Sequence, residues 1–89
     1  MNITSDYELK ECEYIFNMMI QKYNTCAEAY FGMGKVYFSR NLMKQALDMF
    51  ENAVNKQKKD PVYNLWISMT LYHIYRILDK MQKRSLYVF

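Results

Sequence analysis

Residues 29–38 read AYFGMGKVYF, and the Gly32-Met33-Gly34-Lys35 at their centre has the residue types of a phosphate-binding loop. In such loops backbone N–H groups cradle the phosphate oxygens and a lysine offsets their charge, but the spacing is strict. A dinucleotide-binding turn needs a third glycine and a preceding strand; a P-loop needs four residues between its glycines and a Ser or Thr after the lysine. Here one residue separates the glycines and Val36 follows Lys35. Nucleotide binding is not expected.

The other reactive side chains are scattered. His73 is the single histidine, and no nucleophile or orienting carboxylate stands at a recognisable spacing from it. It is expected on a helix face or in a core hydrogen bond. Cys12 and Cys26 lack the CxxC spacing, and a zinc site built from them and His73 would lack a fourth ligand. They read as two small buried thiols of a chain from a reducing compartment, the alternative being a disulfide. Glu11 and Glu13 lie two apart on a helix, point in different directions and read as solvated surface. The expectation is a protein with no catalytic residues, no cofactor and no metal.

What remains is packing material. Eighty-nine residues make at most one small domain, with nine Tyr, five Phe, one Trp and eight Met in a composition that is 52% hydrophobic and 24% charged. That is ample for a core and unlike a disordered chain. Two Gly and one Pro are too few for the turns of a small all-β fold, which points to helices. The formal charge of +3 is spread out, with clusters at Lys56, Lys58, Lys59 and at Lys80, Lys83, Arg84. Both clusters fall at expected helix ends, where cations complement the dipole, so no nucleic-acid footprint is expected. The start, MNITSDYELK, is polar and acidic rather than basic then apolar, unlike a signal peptide. Residues 61–78, PVYNLWISMTLYHIYRIL, carry Asn64, His73 and Arg76 and fall short of the roughly 20 apolar residues of a membrane span. A buried helix is expected there.

Self-similarity organises the chain. Cys12, Phe16 and Met19 recur as Ala46, Phe50 and Ala53, a small residue followed by an aromatic four on and a third residue three further. The shift between the two sets is one period of about 34 residues, a repeat length. Between them lies Tyr30-x-x-Met33-Gly34-x-x-Tyr37. Four helices are expected, over about 6–23, 27–39, 42–56 and 61–80. Ser5-x-x-Glu8 is a capping box opening the first, whose apolar stripe is Tyr7 or Leu9, Cys12, Ile15, Phe16, Met19, Ile20 and Tyr23. Arg40 and Asn41 make the turn into the third helix. Asp60-Pro61 opens the fourth, with Asp as N-cap and Pro at the first helical position. The fourth helix has two registers. A strict count of one period puts Ile67, Ser68 and Leu71 at the Met33, Gly34 and Tyr37 positions; counting from Pro61 shifts the set to Thr70, Leu71 and Ile74. Leu71 and Ile67 face the core in both.

These residues resemble the tetratricopeptide repeat, whose signature is an aromatic, a hydrophobic residue with glycine, then Tyr, followed by Ala-x-x-x-Phe and a proline near the repeat boundary. The resemblance implies an all-α fold of antiparallel helix-turn-helix units in one domain over 1–80. Within it lie a half repeat at 6–24, a full repeat at 27–60 and a half repeat at 61–80; 81–89 form a tail. Tyr30 stands where Trp is commonest, Met33 where Leu is, and Pro61 comes about three residues late. Tyr30, Met33, Gly34, Tyr37, Ala46, Phe50, Ala53, Ile67 and Leu71 are the implied packing residues. A glycine in a helix costs about 1 kcal/mol relative to alanine. At Gly34 close approach of the next helix offsets that cost; Gly32 has no such reason beyond accepting a neighbour's side chain.

The family binds proteins along a concave groove. Carried over by position, that groove would be lined by Glu28, Phe31, Lys35, Phe38, Leu65, Met69 and Tyr72. The clamp that family members use for a terminal carboxylate needs Lys and Asn where Phe31 and Lys35 stand, so an apolar or mixed protein segment suits this chain better. The run of residues 29–54 also looks like repeats of the scaffold subunits of the anaphase-promoting ubiquitin ligase, and transcription-elongation scaffolds carry similar runs. The resemblance implies a non-catalytic, intracellular scaffold, nuclear or cytoplasmic, with a protein partner or self-association through an uncapped last helix. A repeat array normally ends in a polar-faced helix, whereas this one ends in Leu65, Trp66, Tyr72, Tyr75, Ile77 and the apolar Leu86, Tyr87, Val88 and Phe89. Either the tail folds back over the fourth helix or that face is an interface. A membrane-surface role for residues 61–80 and the tail is the alternative function.

Overall fold

The computed structural model describes residues 5–57 and 60–87, the last four as backbone alone. They form four helices, α1 (Asp6–Lys22), α2 (Ala27–Ser39), α3 (Met43–Lys56) and α4 (Pro61–Tyr87), and no strand among the described residues. In chain order α1 packs on α2, α2 on α3 and α3 on α4.

Local chemistry sets the boundaries. Ser5 has extended backbone and its Oγ accepts the Glu8 N–H at 3.1 Å, satisfying one free amide of the first turn of α1. Asp60 Oδ1 accepts the Val62 N–H at 2.9 Å and so caps α4, with Pro61 first in the helix. At the end of α2 the N–H of Asn41 bonds the Phe38 carbonyl at 3.0 Å and that of Leu42 bonds the Tyr37 carbonyl at 2.9 Å. This is a Schellman stop. It needs left-handed backbone, which Asn41 supplies with φ 64°.

The core follows the helical period. On α3 the buried residues Met43, Ala46, Phe50 and Ala53 make one face, while Lys44, Gln45, Asp48 and Glu51 lie on the other or at its margin. Burying the Phe50 ring contributes about 2–3 kcal/mol. Ala27, Ala53 and Tyr63 form one buried cluster, flanked by Tyr30, Phe31 and Val54. Both glycines take a phenylalanine from a neighbouring helix. A Cβ on Gly34 would lie 2.4 Å from the Phe50 ring, and one on Gly32 would lie 2.4 Å from the tip of Phe16. Gly32 therefore accepts a neighbour's side chain, that of Phe16.

Several expectations need correction. Leu71, placed in the core under both registers, is 49% exposed, and the fully buried residue of that turn is Thr70, whose Oγ1 donates to the Trp66 carbonyl at 2.7 Å. Tyr63, Ile67 and Thr70 stand one period after Ala29, Met33 and Val36, which are buried on α2. The Tyr37 position faces the helix that follows, and after α4 no such helix stands among the described residues. On α1, Leu9 is buried and Tyr7 is not; Ile15 and Tyr23 are exposed, because they lie away from α2. Finally, α4 continues past Lys80 to Tyr87. Residues 81–87 hold no Gly or Pro to stop a helix, and Lys83 bonds Asp79 one turn back at 3.2 Å. Residues 81–87 therefore do not fold back over α4; Val88 and Phe89 lie outside the described residues. At 1.5 Å per residue α4 is about 40 Å long against about 21 Å for α3, so its last turns overhang the bundle.

Candidate protein-binding groove

Phe31, Lys35 and Phe38 are spaced four and three apart, which puts them on one face of α2. The α3 connection brings α4 alongside that face. The Phe31 ring lies 4.7 Å from Tyr63 and 6.0 Å from Trp66, centroid to centroid, and Phe38 lies 5.3 Å from both Trp66 and His73 in edge-on geometry. Phe50 of α3 closes the floor, 5.6 Å from Phe31 and 5.8 Å from Trp66. The edge-on contacts of Trp66 with Phe31 and Phe38, and of His73 with Phe38, are a favoured arrangement of aromatic quadrupoles, so the wall is held by more than area burial.

Lys35 sits on top of it. Its ammonium lies 5.0 Å from the Phe31 ring centre and 5.4 Å from that of Trp66, a cation over two aromatic faces. The side chain is half-buried, its stem lying along apolar surface and its charge presented at the rim. Tyr63, beneath, has its phenol pushed above its ordinary pKa, by burial first and then by the carboxylates of Asp60 and Glu28 and by Cys26.

Of the residues expected along the groove, the structure brings only some together. Phe31, Lys35 and Phe38 come together, and Glu28 is exposed on the same helix. Leu65, Met69 and Tyr72 do not join them across α2 and α4. They repeat the α2 stripe one period later, so they face onward and are exposed. Trp66 and His73 take their place. Trp66 stands one period after Gly32, the position that receives Phe16, so the repeat itself held the signal that this residue faces a neighbouring helix.

The arrangement offers apolar contact, a cation and ring edges. His73 meets the rings of Phe38 and Tyr72, and Tyr72 also lies under Arg76, 5.8 Å away. Cys12 and Cys26 are free thiols. Among the described residues no group of His, Cys, Asp and Glu is placed to hold a metal ion, and no helix is long and apolar enough to cross a membrane. Compared with protein-family models, curated proteins and solved structures, the chain matches none.

Proposed function

We propose that this chain is a non-catalytic protein-interaction scaffold of tetratricopeptide-like helical hairpins, acting inside the cell, and that its α2–α4 surface receives an extended or helical protein segment. The single observation behind this reading is Lys35 set over Phe31 and Trp66, with the exposed apolar residues Leu65, Met69 and Tyr72 on the next stripe of α4. A segment that suits it carries a carboxylate to meet the ammonium and large apolar side chains for the stripe on α4. The contact of Phe16 with Gly32 recurs one period later as that of Phe50 with Trp66, which supports the hairpin repeat. Participation in a larger assembly of the ubiquitin-ligase kind rests on the resemblance of residues 29–54.

The chain reports on its own site, since its one tryptophan is Trp66. Titrating it with peptides pairing Asp or Glu with Leu and Phe should shift Trp66 emission saturably. Lys35→Glu should abolish the shift while leaving helicity intact. No emission change with any such peptide, or an unchanged affinity in Lys35→Glu, would remove the groove from consideration. Co-purification of ubiquitin-ligase subunits with the tagged chain tests the assembly.

A further inference from the structure

Phe50 touches two helices at once. It lies back on Gly34 of α2 and forward against Trp66 of α4, at 5.8 Å. Phe16, one period earlier, makes the forward contact alone, on Gly32, which stands one period before Trp66. Its backward side faces no helix among the described residues. There Ile15 is 53% exposed and lines both of two shallow surface grooves, of about 470 and 260 Å³. The converse holds at α4. Ser68, one period after Gly34, is exposed, and Leu71, Tyr75 and Leu78 beside it are exposed as well. So, among the described residues, α1 is a helix of the α3 kind with no helix packed on its backward side, and α4 is one of the α2 kind with none packed on its forward side.

We propose that a second copy of this chain seats its α1 on this face of α4, antiparallel, reproducing between copies the α2–α3 interface found within one. The proposal rests on the repeat reading above. In α2–α3, Phe50 meets Gly34; the same register between copies brings Phe16 to Ser68 and Ile15 and Met19 toward Leu71 and Asn64. Charge favours this partner over others. The antiparallel register lays the first turns of α1, with Glu8 and Glu11, beside the later turns of α4, with Arg76 and Lys80. Asp6 with Lys10, and Asp79 with Lys83, are paired within their own helices and cancel. Pairing α4 with a second α4 would instead crowd the cations together if parallel, and if antiparallel would lay them beside residues 61–68, which carry no acid. Ser68 has a Cβ where Gly34 has none, so the contact between copies is shallower than the hairpin it imitates. Because different surfaces meet, each added copy leaves one α1 and one α4 open, and association is not limited to two.

Sedimentation velocity across micromolar concentrations tests this, using the whole chain and two variants at exposed positions, Ile15→Glu and Leu71→Glu, each first shown helical by circular dichroism. The wild type should grow beyond dimers with concentration and recede in high salt. Each variant alone should be monomeric, and their equimolar mixture should form a complex of two chains that grows no further. A wild type that stays monomeric overturns the proposal, as does a Leu71→Glu chain that still self-associates, or a mixture that stays monomeric while the wild type assembles. A monomeric chain whose Trp66 still responds to peptide, with the response lost in Lys35→Glu, overturns the pairing of copies alone and leaves the groove standing.

Discussion

The Phe50 ring rests on the backbone of Gly34 so closely that a Cβ there would lie 2.4 Å from its Cε1 and 2.5 Å from its Cδ1. Phe50 is fully buried and has nowhere to go. Alanine at 34 gains about 1 kcal/mol of helix propensity, while overpacking costs about 1–3 kcal/mol, so Gly34→Ala should destabilise. Gly32→Ala meets the tip of Phe16, a half-buried ring on the terminal helix α1, which can shift outward. Its net effect should be near zero. Urea unfolding of the two variants should rank them in that order, and equal losses would mean that α1 is held as firmly as α3.

Asn41 sustains the α2–α3 turn in left-handed backbone. A β-branched side chain there costs about 1–2 kcal/mol, whereas glycine costs nothing sterically. Asn41→Val should lower the melting temperature, and Asn41→Gly should leave it unchanged or raise it.

Arg40 bonds Glu13 through Nη1 at 2.7 Å, joining α1 to the end of α2, while its Nε and Nη2 are buried without a hydrogen-bond partner among the described residues. Removing the carboxylate leaves a partly buried charge uncompensated; removing both groups leaves only packing. Glu13→Gln should therefore destabilise by about 1 kcal/mol, at the upper end of an exposed ion pair. The double variant Glu13→Leu, Arg40→Met should recover most of that loss in thermal unfolding.

Tyr63 supplies a pH test. Its folded phenol is raised above 10.0 by burial, with Asp60 and Glu28 adding to the effect. In the unfolded chain it ionises at its ordinary value, so above about pH 10 the unfolded state holds fewer protons than the folded one. This stability is fully present below that pH and is lost as pH rises through the folded pKa. Stability against pH should fall less steeply in Tyr63→Phe than in the wild type on the alkaline side. Parallel curves would show that the phenol stays wetter than its packing implies.

Helix number and the capping of α1 and α4 were legible because they depend on neighbours in sequence: Ser5 before Glu8, Asp60 before Pro61, the apolar period of α3. The repeat period predicts an end to α4 near Lys80, but the helix runs on to Tyr87 because no breaker stands there. Leu71 departs from expectation for a different reason. Its apolar character is real, but a stripe is buried only when another helix arrives to cover it. That Phe31, Lys35 and Phe38 share a face is readable from their spacing; that Trp66 and His73 meet them, rather than Leu65, Met69 and Tyr72 one stripe away, is not.

The sequence by itself determined that this chain is helical, where its turns lie, and that a small-aromatic pattern recurs at a fixed period, since each of these rests on backbone propensity and short-range spacing. Tertiary structure alone decided which glycine receives which phenylalanine, that Lys35 stands over Phe31 and Trp66, and which apolar stripes are left open to solvent. Those outcomes depend on how helices far apart in sequence approach one another, and a side chain's pattern states what it can bury against without stating what will come.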